Sequence, residues 1–165
     1  MLDLGCGGIK RPGFTGMDKR KDVNPDILWD VEKFPYPLKN ESVLNIVASH
    51  IIEHIKPWLM VDLMDELWRI AKPECRLAIV MPYGFSSGFL QDPTHCNPRN
   101  ETTWTYFDPK FPLYQVYQPK PWKIVFGPVY QSTGNMEVIL EKIPLPKTSS
   151  GQQKNTRKGS SSASR

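Results

Sequence analysis

The segment Leu2-Asp3-Leu4-Gly5-Cys6-Gly7-Gly8 joins an acid to a glycine-rich turn directly after a short apolar run. A buried strand that ends in such a turn lets a nucleotide-like ligand approach the backbone closely, because glycine has no Cβ. Spacing rules out two phosphate-cradling versions of the motif. The dinucleotide pattern G-x-G-x-x-G needs glycine at position 10, which is Lys10. The phosphate loop G-x-x-x-x-G-K-[ST] fails because Gly8 and Gly13 are followed by Phe14-Thr15. What remains is an acid two positions before Gly-x-Gly and a second acid, Asp18, at the end of the next apolar run. Asp3 could receive a cationic amino group and Asp18 a pair of ribose hydroxyls. Either acid alone could equally be a turn cap. Asp18 also lies closer to the loop than the ~20-residue gap of the dinucleotide fold.

A second group of reactive side chains is His50-Ile51-Ile52-Glu53-His54, a literal H-x-x-E-H. On one helix, the two histidines would share a face and could ligate zinc. Here His50 falls at the end of a strand, and no downstream glutamate in helical context supplies a third ligand. No metal is therefore expected, and Glu53 and His54 read as a helix N-terminal acid and a packed, hydrogen-bonded histidine. Cys6, Cys75 and Cys96 are scattered, with no C-x-x-C pair, which argues against a disulfide framework or thiolate zinc site. His50 and His95 are the candidate general bases, since histidine titrates near neutral pH. Trp104, Tyr106, Phe107, Tyr114 and Tyr117 could wall an acceptor pocket, although aromatic clusters more often belong to a core.

These residues need elements to hold them. Short apolar runs predict strands at Met1–Leu4, Phe14–Met17, Ile27–Trp29, Val43–Ala48 and Arg76–Met81. Ile55, Leu59, Leu63, Leu67 and Ile70 repeat at helical spacing, with Pro57 in the first turn and Pro73 as the stop. Residues 83 to 120 are irregular, with one short helix expected near Glu101–Phe107. Trp122–Tyr130 and Met136–Ile143 read as a hairpin joined by Gln131–Asn135. The expected fold is α/β, Rossmann-like, with a mostly parallel sheet and an antiparallel C-terminal edge. Nine residues separate Gly8 from Asp18 and seven separate Asp18 from Asp26. That is too few for ordinary crossover helices. Turns should replace them, baring one sheet face and favouring self-association.

Several of these segments, in order, carry a family resemblance. Asp3-Leu4-Gly5-Cys6-Gly7, Gly16-Met17-Asp18, Asp26 to Asp30, Phe34-Pro35 and Ser49 to His54 resemble class I S-adenosylmethionine-dependent methyltransferases. The nearest likeness is to the compact "methyltransferase type 11" group, with D-L-G-C-G, P-G-F-x-x-x-D, D-L with L-P-F, and S-H-x-L-E-H. Arg69 to Pro73 and Asp92-Pro93-Thr94-His95 with Trp104 to Phe107 resemble its R-V-L-K-P and D-P-T-H…F-x-Y-F segments. The resemblance spans roughly residues 1 to 108. It implies S-adenosyl-L-methionine as cofactor. Asp3, Gly5, Cys6 and Gly7 would surround the methionine moiety, Asp18 the ribose, and Asp30 with the Val31 backbone the adenine. Ser49 and His50 would lie near the transferable methyl. Two departures stand out. Glu74-Cys75 replaces Gly-Gly, and Met1 sits directly on the first strand, where the family has preceding residues. The second departure implies a truncated chain or an open site.

Composition narrows the partners. The 165 residues carry a formal charge of +4, but Lys147, Lys154, Arg157, Lys158 and Arg165 lie in a segment without acids. Residues 1–146 hold 16 basic and 17 acidic residues, a net of −1, and are expected to form one domain. Residues 147–165, rich in Ser, Gly and Lys, are expected to be a disordered basic tail. A near-neutral body disfavours duplex nucleic acid. The N/D-P-P-Y segment of base amino-methyltransferases is absent after the fourth strand, as is the Pro-Cys nucleophile of cytosine-C5 enzymes. No apolar run approaches the ~18 residues of a membrane span, and no signal peptide is evident, so a cytoplasmic location is expected. The unidentified methyl acceptor is expected to be a small molecule or saccharide. The rival reading is a degenerate domain of the same fold that binds cofactor or a protein without turnover.

Overall fold

A computed structural model describes residues 1–146, so the expected tail lies outside the described residues. Seven strands form one sheet: β1 (Leu2–Leu4), β2 (Thr15–Asp18), β3 (Ile27–Leu28), β4 (Val43–Ser49), β5 (Ala71–Pro82), β6 (Trp122–Tyr130) and β7 (Asn135–Lys142). Their spatial order is β3-β2-β1-β4-β5-β7-β6. β1 to β5 run parallel, and β7 is antiparallel to both β5 and β6. This is the mostly parallel sheet with an antiparallel edge that the sequence predicts. The α-helices are α1 (Met60–Ile70), α2 (Ser87–Leu90) and α3 (Tyr114–Tyr117). Among the described residues, no helix is long and apolar enough to cross a membrane.

The register explains the apolar alternation. Leu2, Ile46, Leu77 and Leu140 form one row across four strands, and Leu4, Ala48, Ile79 and Val138 form the next. All are buried, in one core with Leu63, Met64, Leu67 and Ile70 of α1. Burying each such leucine or isoleucine contributes about 1.5–3 kcal/mol. The other face is barer. Connections β1–β2 and β2–β3 contain no α-helix, only a 3₁₀ turn at Lys21–Val23. On that face Leu28 is 54% and Phe126 46% exposed.

The helix expected from Ile55 is shorter than its periodicity suggests. Two 3₁₀ turns, Ile52–His54 and Pro57–Leu59, precede α1, so Ile55 is buried outside it. Nor does Pro73 stop the helix. α1 ends at Ile70 and β5 begins at once, with Pro73 inside the strand. Proline has no N–H for the ladder. Pairing runs Val43 with Ala71, then shifts register and resumes at Asn45 with Arg76. Glu74 sits in the irregular stretch at φ +63°.

α1 also holds the chain that leads into β4. Buried Glu66 accepts the Tyr36 N–H at 2.6 Å and pairs with Arg69, whose guanidinium reaches the carbonyls of Leu38 and Tyr36. Tyr36 in turn donates its hydroxyl to the Val31 carbonyl at 2.8 Å. α1 thus fixes the segment that carries Asp30 and Val31.

Candidate functional site

The carboxyl ends of β1, β2 and β4 open on a cavity of about 600 Å³. Ligands bind open α/β sheets at this edge, where the strand order reverses. Here β2 and β4 flank β1, and the chain turns outward in opposite directions on either side. Gly5, Asp18, Asp30, Val31 and His50 line the cavity. Asp3, Cys6, Gly7, Ser49 and His95 do not.

The glycine turn is shaped by its neighbours. Gly5 takes φ +67°, its N–H donates to the Met17 carbonyl at 2.8 Å, and a Cβ there would lie 2.6 Å from Ile51 Cγ1. Gly7, at φ +59°, donates its N–H to Asp18 Oδ2 at 3.0 Å. The Arg20 N–H donates to Asp18 Oδ1 at 2.9 Å, with the Arg20 guanidinium 3.5 Å away. Asp18 is thus a loop anchor as well as a wall residue. Asp3 is buried and pairs with Arg11 at 3.2 Å. Burial pushes its carboxyl above the usual range, and the Arg11 charge partly offsets this. Asp30 closes a local turn, accepting the Glu32 N–H at 3.1 Å. Glu32 takes both the backbone N–H and the ammonium of Lys56, at 2.8 and 2.9 Å.

His50 follows β4 directly, in the left-handed region at φ +55°, and its N–H donates to the Val80 carbonyl. Non-glycine residues at such angles are uncommon and gather at functional sites. The bend aims the imidazole at the cavity and leaves Nδ1 3.2 Å from Glu53 Oε1. His95 is away from the wall. Its Nδ1 lies 2.9 Å from the Phe89 carbonyl, and its Nε2 lies 4.0 Å from Glu53 Oε1.

No protein-family profile and no curated protein sequence matches the chain. Solved structures do. A SAM-dependent methyltransferase from Archaeoglobus fulgidus superposes with TM-score 0.61 at 17% identity, over 86% of this chain and 85% of that one. One from Aquifex aeolicus gives 0.60 at 15%, over 86% and 81%. One from Mesorhizobium loti gives 0.60 at 11%, over 86% and 89%. The fold is that of the class I methyltransferases.

Within this class I methyltransferase fold, Lys19, Arg20, Glu32, Ile51, His54, Ile55 and Thr94 also line the cavity. Sequence reading assigned them no ligand role. Arg20 and Glu32 sit two residues beyond Asp18 and Asp30, so strand-end position was an available signal. Thr94 was not legible, because only the fold brings residues 92–97 against 52–55. The Cys96 and Asn97 N–H groups both donate to the Glu53 carbonyl, at 2.9 and 3.1 Å. The five aromatics divide. Trp104 and Phe107 are core residues, while Tyr106, Phe107 and Tyr117 line a second cavity of about 370 Å³ that shares no residue with the first. Arg99 also lines it, and burial pulls its guanidinium below the usual value. Tyr114 donates its hydroxyl to the Pro119 carbonyl at 2.9 Å.

Proposed function

We propose that the chain is an S-adenosyl-L-methionine-dependent methyltransferase acting on an O, N or C acceptor. A small molecule or saccharide suits the near-neutral body better than nucleic acid does. The reading rests on one observation: the glycine turn and Asp18 meet at the switch point of the class I sheet, over a cavity of about 600 Å³. That is within the usual size of small-ligand sites.

The residues fit the cofactor. Each Asp18 oxygen already accepts one N–H, and each keeps a further lone pair for a ribose hydroxyl. Gly5, on the wall, has no Cβ to stand between the backbone and a ligand. Asp3, Gly5, Cys6 and Gly7 are assigned to the methionine end, Asp3 and Cys6 through the turn they support. Asp30 and Val31 are assigned to the adenine end, and Ser49 and His50 to the methyl end.

When bound, the cofactor would supply a sulfonium methyl to a nucleophile in line with it. The chain's part is chiefly positioning. His50, half-exposed on the wall, is the residue placed to take a proton from an acceptor. His95, the other candidate base, is away from the wall and is assigned a positioning role through Glu53, which both imidazoles approach. Acceptor selection is assigned to residues 83–120, and the barer sheet face to a second copy of the chain.

Calorimetric titration with S-adenosylmethionine tests the reading. Saturable binding that weakens in Asp18→Ala supports it, and no binding rejects it. Binding without turnover on a broad acceptor panel would favour a catalytically silent domain.

A further inference from the structure

Glu53 presents a problem of charge. It is 0% exposed, and among the described residues neither carboxylate oxygen has a hydrogen-bond partner. A carboxylate out of water without partners is costly unless its charge is compensated. Its surroundings are not apolar. One donor atom each from Glu53, His54 and His95 fall within 4.8 Å of one another.

The hydrogen bonds prepare both imidazoles as ligands. His95 Nδ1 lies 2.9 Å from the Phe89 carbonyl, which can only accept, so Nδ1 carries a proton. In the neutral ring the lone pair is then on Nε2, which faces Asp92 Oδ2 at 3.7 Å and Glu53 Oε1 at 4.0 Å. Thr94 spends its one hydroxyl proton on Asp92 Oδ1, at 2.7 Å. His54 Nδ1, 3.0 Å from the Thr94 oxygen, must therefore be the donor, which frees Nε2. Histidines that bind metals are typically fixed this way, through the other ring nitrogen.

We propose that Glu53, His54 and His95 bind one divalent transition-metal ion, with Zn²⁺ best matched to the donors. One carboxylate and two imidazoles make a three-ligand set that leaves a position open. Tetrahedral bonds of about 2.0–2.1 Å put ligand atoms about 3.3 Å apart, so donor atoms now within 4.8 Å of one another need to close by no more than about 1.5 Å on binding. His50 Nδ1, 3.2 Å from Glu53 Oε1, stands beside the same carboxylate. His54 and Thr94 reach the wall of the large cavity, which places the ion at its rim. This set differs from the H-x-x-E-H reading. Glu53 is a ligand rather than a base, and His95 comes from a separate loop. The proposal stands apart from the cofactor assignment.

The test is titration of chelator-treated full-length protein with Zn²⁺ against a chromophoric competitor, repeated with Co²⁺ for its visible absorption. Wild type should bind one equivalent. His54→Ala and His95→Ala should each weaken binding tenfold or more, and Cys96→Ser should not change it. Far-ultraviolet circular dichroism checks that each variant folds. Should Glu53→Gln fail to fold, the histidine variants decide. Absence of stoichiometric binding overturns the proposal, as does binding that survives both histidine changes or is lost with Cys96. S-adenosylmethionine affinity, measured separately on wild type, judges the cofactor reading alone.

Discussion

The backbone N–H of Gly7 donates to Asp18 Oδ2 at 3.0 Å, joining the glycine turn after β1 to the last residue of β2. One carboxylate therefore shapes the loop and faces the cavity. Asp18→Ala removes both roles, and S-adenosylmethionine affinity should fall at least tenfold, or about 1.4 kcal/mol. Asp18→Asn keeps acceptor oxygen and should lose less. Asp3→Ala should weaken binding through the Asp3–Arg11 pair behind the turn. Calorimetry on the three variants checks this, and unchanged affinity in both alanine variants would remove the basis of the site.

Gly5 is the position where the turn tolerates no side chain. A methyl group there meets Ile51 at 2.6 Å and requires φ +67°. Gly5→Ala should lower stability by about 1–3 kcal/mol. Gly8→Ala, with open space around its Cβ, should cost far less. Urea denaturation of the two variants should show that contrast, and equal midpoints would contradict it.

Glu74 occupies a left-handed position, φ +63°, where the resembling family carries glycine. Glu74→Gly relieves a cost of about 1–2 kcal/mol in the folded strand. It adds about 0.5–1 kcal/mol of chain entropy in the unfolded state. A net gain of about 0.5–1 kcal/mol is expected, read as a raised thermal midpoint. A lowered midpoint would show that the Glu74 side chain stabilises the strand.

The thiols should separate by environment. Cys96 is exposed, while Cys6 and Cys75 are buried. Burial, reinforced by Asp18 and Asp3, pushes the Cys6 thiol up, and burial pushes Cys75 up to about 11. Thiolate is the reactive form, so both stay protonated and slow at pH 8. A disulfide reagent should titrate one thiol quickly in folded protein and three after denaturation. Cys96→Ser should abolish the fast phase.

The sheet face with Leu28 and Phe126 should pair with a second copy. Light scattering at micromolar concentration should report a mass above the 18.9 kDa of one chain. Phe126→Lys should shift it towards the monomer. A single stable monomeric species for wild type would count against the pairing.

How much of this was legible in the sequence follows from the range of each interaction. The short apolar runs, the glycine turn and the acids at Asp3, Asp18 and Asp30 are local patterns. A strand's alternation and a turn's need for glycine are written within a few residues. They marked the seven strands and five of the twelve residues that line the cavity. The end of α1 was not legible, because whether Lys72-Pro73 breaks a helix or joins a strand depends on Val43 pairing with Ala71 from elsewhere in the chain.

The position of His95 is the clearest case. In sequence it is a lone histidine, and Glu53 is an acid near the start of a helix. Only the fold carries the loop at 92–97 onto the turn at 52–55, leaving Glu53 buried and bringing the His95 ring in beside those of His50 and His54. The sequence by itself placed the carboxyl ends of the strands to within a residue or two, and hence the chemistry at the sheet edge. Tertiary structure alone decided which of them meet, because burial and charge compensation depend on distances that residue spacing does not contain.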